Sequence, residues 1–213
     1  MAWALGLFFT DGHLGPPFRQ TAARLCFTQK SPELLHKLKA LMHSNTTVHS
    51  RPRREYNGKT AGATFRFAIS NARLVARMLA LGLTPRKSLT MQFPEVPREC
   101  VRHFVRGCWD GDGTVYRQAN GRQLIAKFGS GSQRFVEEML GALYRDGFPE
   151  RRVYRLRRGG RDVEYYYFAF QRPRDIESLF RYLYDGVPVG AYLVRKYELF
   201  ATYIAERHSS SNG

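Results

Sequence analysis

Acidic residues are scarce in this 213-residue chain: 18 Asp and Glu stand against 34 Lys and Arg, which leaves a formal charge of +16 and a pI near 10.2. Lysine is scarce as well, with seven against 27 arginines. A balance this basic points towards a polyanion, nucleic acid above all. The planar guanidinium fork suits phosphate oxygens and guanine edges better than a lysine does. Cysteine is nearly missing. Cys26, Cys100 and Cys108 form no CxxC pair, and their odd number argues against a disulfide framework, so they read as small hydrophobes in a reducing compartment. Long apolar runs are missing too. Met1 to Phe9 is apolar but has no basic start or cleavage site, and Asp11 interrupts it, so neither a signal peptide nor a membrane span is expected. What remains, 43% apolar, is enough for one large core or two small ones.

The chain repeats itself. WALGLFFTDG (Trp3 to Gly12) and FVRGCWDGDG (Phe104 to Gly113) share an outline of apolar residues, an internal glycine and, five positions on, an aspartate followed by glycine. Gly6 leads to Asp11 and Gly107 to Asp112, about half a chain apart. The same order of elements follows each motif. In the first half come RLCFTQK, a helix from Ser31 to His43 with Pro32 at its first position, a hairpin turning at Asn57-Gly58, and a helix from Asn71 to Leu81. The second half has a hairpin turning at Asn120-Gly121, a helix capped by Ser132, a hairpin turning at Gly159-Gly160 and a helix from about Arg174 to Tyr184. A further helix precedes an SSSNG tail. The expected architecture is α/β of the α+β kind: two pseudo-symmetric αββαββα repeats. They cover residues 1–83 and 98–207, with a proline-rich linker over 84–97 and a disordered tail over 208–213.

Glycine inside a helix costs about 1 kcal/mol relative to alanine, so matched glycines ask for a packing reason. Ala2, Gly6 and Thr10 fall on one stripe of the first helix, and His103, Gly107 and Gly111 on one stripe of the second. Small residues so spaced let two backbones approach closely. Helices packed at Gly6 and Gly107 would present Asp11 and Asp112 side by side, with Gly12 and Gly113 as left-handed C-caps. Helix C-termini are electrically negative, and two carboxylates about 5 Å apart repel by about 3 kcal/mol at an effective dielectric of about 20. A divalent cation with a taste for hard oxygen, Mg²⁺ foremost, would relieve that repulsion. Acid pair, metal and basic surface together suit phosphodiester hydrolysis. The bland alternative is that the acids only terminate two buried helices. DGDGT is no EF-hand loop, since Val115 stands where the loop needs glycine and Gly121 where it needs glutamate. Asp110 faces Phe9 in the repeat and reads as a supporting residue.

LGLFFTDG and VRGCWDGDG resemble the two motifs of a single-chain LAGLIDADG homing endonuclease, and the repeat order resembles that family's fold over essentially the whole chain. The resemblance implies motif helices at the centre of a saddle of antiparallel sheets that grips a long, asymmetric DNA duplex. It also implies a monomer that cuts both strands with Mg²⁺ or Mn²⁺ and leaves short 3′ overhangs, with Ca²⁺ binding but not supporting cleavage. Asp11 and Asp112 become metal-binding acids, assisted by the Thr10 and Gly111 carbonyls. Gln29 falls where the family often has a water-positioning glutamine, with Ser130 at the matching place in the second half. Lys87 and Lys196 match the paired basic residues that approach the scissile phosphates; without the resemblance they would pass as surface lysines.

Strand alternation marks a candidate DNA surface. Tyr116, Gln118, Gln123, Ile125 and Lys127 share one face, and Val115, Leu124, Ala126 and Phe128 the other. Equal counting from Asp11 adds Arg19, Arg24 and Cys26, and the later hairpin adds Arg51, Arg53 and Arg66. Over 153–170, a tight Gly-Gly turn would pair Arg155 with Glu164 and Arg157 with Asp162, whereas alignment with the first half turns Tyr165 and Tyr167 outward. Two other functions share the resemblance: a maturase for the host intron RNA, and a DNA-binding regulator without catalysis. The presence of both acids favours the nuclease. The absence of flanking splicing domains favours an intron-encoded protein, in the cytoplasm or nucleoid of a prokaryote or in an organellar matrix.

Overall fold

The computed structural model describes residues 1–15, 23–56, 59–85, 87–119, 121, 123–157 and 164–211. Two helices form its spine, α1 (Ala2–Thr10) and, later in the chain, α4 (Val101–Asp112). Around α1 the first half places β1 (Gly12–Gly15), β2 (Arg24–Gln29), α2 (Glu33–Leu41), β3 (His49–Arg51), β4 (Arg54–Tyr56), β5 (Lys59–Ala61), β6 (Thr64–Ile69) and α3 (Ala72–Ala80). After α4 the second half places β7 (Thr114–Arg117), β8 (Leu124–Ser130), α5 (Gln133–Arg145), β9 (Tyr154–Arg157), β10 (Glu164–Phe170) and α6 (Pro173–Tyr184), and α7 (Val194–Ser211) follows.

Each half builds one four-stranded antiparallel sheet, in the order β1-β2-β6-β3 and its counterpart β7-β8-β10-β9. The fold is therefore α+β with a repeated unit, as the sequence pattern predicts. In the first half β4 and β5 pair only with each other, so the long second hairpin breaks after Arg51 and continues as a separate ribbon. Pro52, which lacks an N–H to donate, stands at that break.

Alternation decides which side of each sheet is buried. Leu25, Phe27 and Phe67 point to the helices in one half, and Val115, Leu124, Ala126, Phe128, Phe168 and Phe170 do so in the other. Phe9, Phe93, Phe104 and Phe135 join the two halves into one aromatic core, with ring centroids 4.8–6.5 Å apart. The expected linker is part of that core: Leu83 and Met91 are buried, Ser132 Oγ donates to the Met91 carbonyl at 2.6 Å, and Phe93 N donates to Glu138 Oε2 at 2.7 Å.

Four local expectations differ from the structure. Pro32, not Ser31, is the cap of α2, although the Ser31 hydroxyl still accepts from the Glu33 N–H at 3.3 Å. Gly12 and Gly113 are not left-handed; Gly113 has φ −64° and ψ 142°. They are glycines for want of room, since a Cβ would lie 2.7 Å from the Phe8 carbonyl oxygen and 2.4 Å from that of Trp109 respectively. The tail keeps its helix to Ser211, and the Ser209 hydroxyl bonds the Ala205 carbonyl at 3.0 Å. The last hairpin pairs Glu164 with Arg157 and Tyr166 with Arg155, two positions away from the tight-turn register. The Asn57-Gly58 and Gly159-Gly160 turns, Asn120 and Arg19 lie outside the described residues.

Candidate active site and nucleic-acid surface

Helices α1 and α4 cross where neither has a side chain. A Cβ on Gly6 would lie 2.2 Å from the Phe104 carbonyl oxygen, and one on Gly107 would lie 2.0 Å from that of Trp3 and 3.0 Å from the Gly6 Cα. Further along the same stripe Gly111 abuts Thr10, and a Cβ there would stand 3.0 Å from Asp11 Oδ2. The crossing thus delivers both acids to one place, the joined C-terminal ends of two helices.

Two lysines converge on this place. Lys87, in a single 3-10 turn over Lys87–Leu89, is buried and donates to the Thr10 carbonyl at 2.9 Å. Lys196, near the start of α7, is 3% exposed and donates to the carbonyls of Trp109, Asp110 and Gly111 at 2.6, 2.8 and 3.1 Å. These carbonyls are the last, unpaired acceptors of their helices, so the ammonium groups sit on the negative ends of both dipoles. Burial pushes the Asp11 carboxyl up and the nearby Asp112 adds to it, and together they outweigh Gln29, Lys196 and Lys87, leaving it at about 6. The Gln29 side chain hydrogen-bonds Asp11. Burial likewise lowers Lys196, to about 8, and draws Lys87 downward, against the pull of the two acids.

Two clefts open on either side of the helix pair. One holds Asp112, Lys87 and Ser130; the other holds Asp11, Gln29 and Gly111. The first also contains Glu164 and the second Arg195, which sequence reading had not placed there. Glu164 could have been found by matching the start of β10 to the start of β6, since Thr64 lines the other cleft. Arg195 had only its adjacency to Lys196 to signal it.

Asp110, in the wall of the second cleft, is buried. Its Oδ2 accepts from Trp3 Nε1 at 2.8 Å and from the Leu193 N–H at 3.1 Å. It ties the first motif helix, the second, and the approach to α7, which carries Lys196. Its other oxygen has no hydrogen-bond partner among the described residues.

Only oxygen donors converge on the clefts from the acids and the helix ends. Two carboxylates and two backbone carbonyls suit a hard divalent cation such as Mg²⁺, which keeps several waters. No group of three or more His, Cys, Asp or Glu gathers among the described residues, so water and phosphate oxygens would complete the shell. The Thr10 and Gly111 carbonyls each accept a lysine ammonium here and would share that role with any metal.

The outer faces of the sheets carry most of the expected surface residues. Arg24, Cys26, Arg66 and Arg51 lie on the first sheet, opposite the buried Leu25 and Phe27, and Arg53 is exposed beyond Arg51. Arg66 Nη2 donates to Cys26 Sγ at 3.2 Å. Burial pushes the Cys26 thiol up, but hydrogen bonds from His13 and Arg66 more than offset it and bring it to about 7. On the second sheet Tyr116, Ile125, Lys127, Tyr165 and Tyr167 share the outer face, Ile125 being only 6% exposed. Gln118 and Gln123 close the β7-β8 hairpin through a backbone bond of 2.9 Å. Register puts Arg155 and Arg157 on the opposite side from Tyr165 and Tyr167, and Arg155 forms an ion pair with Glu164.

Residues 99–184 match the family model of the LAGLIDADG-like domain. The whole chain resembles solved structures of the same kind. The I-LtrWI LAGLIDADG homing endonuclease bound to target DNA shares 14% identity at a TM-score of 0.57, covering 98% of this chain and 90% of that one. For the homing endonuclease I-DmoI, in structures of mesophilic variants, the figures are 16%, 0.55, 90% and 96%. This is a LAGLIDADG fold. The N-terminal LAGLIDADG domain of DUF199/WhiA shares it too, at 12% identity and a TM-score of 0.52 over 88% of this chain and 80% of that one. No curated protein matches by sequence. The family model lies within the second half of the chain, and the first half is matched by the structural likeness. No helix among the described residues is long and apolar enough to cross a membrane.

Proposed function

We propose that the protein is a site-specific, metal-dependent endonuclease that hydrolyses both strands of a long, asymmetric DNA duplex as a monomer, in the manner of intron-encoded homing endonucleases. The carrying observation is the pair of clefts on either side of one glycine crossing, each with its own motif aspartate. Two unlike clefts suit two strands cut at one asymmetric site. Solved relatives are bound to DNA, and one is described with Mn.

In this reading Asp11 and Asp112 would hold the metal, and when bound it would supply an activated water and charge stabilisation at the leaving oxygen. Lys87 and Lys196, fixed by helix-end carbonyls, offer positive charge to phosphate oxygens as negative charge develops there. Gln29, bonded to Asp11, orients water in one cleft, a role its counterpart Ser130 has a shorter side chain to play. The asymmetry predicts that the two strands are cut at different rates.

Asp11→Asn and Asp112→Asn should each retain duplex binding and lose double-strand cleavage in Mg²⁺, read as cut ends sequenced from a randomised duplex library. Undiminished cutting by both variants would refute the assignment. Sequence-selective binding with no cutting by the unaltered protein would favour a regulator instead.

A further inference from the structure

The outer faces of the two sheets differ in chemistry. On the first, cross-strand neighbours are polar and basic: His13 beside Cys26, and Arg66 beside both Thr28 and His49. On the second, the β9-β10 neighbours are aromatic and aliphatic, Tyr165 beside Leu156 and Tyr167 beside Tyr154, while Lys127 lies beside Thr114 and Ala169. Tyr154 and Leu156 are 47% and 48% exposed. The rings of Tyr154, Tyr167 and Tyr165 form a row, with centroids 5.4 and 6.3 Å apart. Lys127 lies 5.0 Å over the Tyr167 ring, and Arg152 lies 5.7 Å over that of Tyr154. Cations therefore border the row and suit a polyanion, while the surface they frame is apolar. An open apolar patch is normally avoided unless something covers it.

A DNA major groove offers one apolar group, the C5 methyl of thymine, and guanine offers paired acceptors to arginine. We propose that the two sheets read opposite base compositions: the β1-β2-β6-β3 face takes guanine-rich sequence, and the β7-β8-β10-β9 face takes thymine-rich sequence through methyl contacts at Tyr154, Leu156 and Tyr167. This rests on the reading of the protein as a duplex-DNA nuclease. It adds to that reading the composition of the target and which half of the chain reads which end. Leu156 and Arg66 become specificity-determining residues.

The test uses the full chain and duplexes selected for binding from a randomised library. One half-site should be enriched in A·T pairs and the other in G·C pairs. Replacing thymine by deoxyuridine, which removes only the C5 methyl, should weaken binding about fourfold for each buried methyl in the A·T half and little elsewhere. Replacing guanine by 7-deazaguanine should act only in the other half. Leu156→Ser should shrink the deoxyuridine penalty by the share of one methyl contact and leave the 7-deazaguanine penalty unchanged. Arg66→Ala should shrink the 7-deazaguanine penalty and leave the deoxyuridine penalty unchanged. A selected site whose halves respond alike to both replacements would overturn the inference and leave the nuclease standing. Failure to select any duplex would overturn both. Equal competition by single-stranded DNA or RNA of the selected sequence would make the tyrosine row a stacking platform for unpaired bases and overturn the groove reading.

Discussion

At the scale of single residues, the site is a set of charges held in unfavourable states. Asp11 is raised to about 6 by burial and by Asp112, so the folded protein holds its proton more tightly than the unfolded chain does. The stability attached to that proton is complete below the ordinary aspartate range and is lost as pH rises through about 6. With divalent metal chelated, Asp11→Asn should therefore melt above the unaltered protein at neutral pH. The gap should narrow as pH falls from about 6 towards about 4, and thermal scans across that range would check it. A gap independent of pH would mean that Asp11 is not destabilised by its surroundings. Lys87 has the opposite sense, a buried cation whose ammonium meets the Thr10 carbonyl. Lys87→Ala should slow single-turnover cleavage on the order of a hundredfold and change the half-saturating DNA concentration far less. A loss confined to affinity would make Lys87 a phosphate anchor only.

At the scale of elements, the crossing of α1 and α4 sets two effects against each other. Helix propensity favours Gly107→Ala by about 1 kcal/mol. The added Cβ would fall 2.0 Å from the Trp3 carbonyl, where every near atom is backbone and the helices would have to part. Overpacking of this kind costs about 1–3 kcal/mol, or more where the backbone itself is the obstacle. Clash should win, and Gly107→Ala should lose about 2 kcal/mol net in denaturant unfolding, from a clash at the upper end of that range less the propensity gain; a neutral result would deny the close approach. This crossing was legible in the sequence because matched glycines mark it. The glycines at the helix ends misled for a related reason: a left-handed cap and a crowded extended turn both call for glycine, and sequence does not tell them apart. The register of β9 and β10 was not legible either, since a run of charges and tyrosines fits two alternations equally well. Nor was the burial of Lys87 and Lys196, which depends on helix ends brought together from distant parts of the chain.

At the scale of the whole molecule, the excess of 34 basic over 18 acidic residues is spread over a chain whose apolar side chains form one core shared by both halves. Binding to duplex should then be driven largely by counterion release. Affinity should fall by at least about a thousandfold between about 50 and about 200 mM monovalent salt, as a log–log titration would read it. A flat response would deny a broad phosphate contact.

The backbone seam between Gly6 and Gly107 has one more consequence. With only main-chain atoms nearest to Gly6 and Gly107, the approach of the two helices is a gauge cut in peptide dimensions. Residues on the outer faces of the sheets can be exchanged freely without resetting that gauge. A lineage could change what it recognises many times over and still keep the spacing between its two clefts.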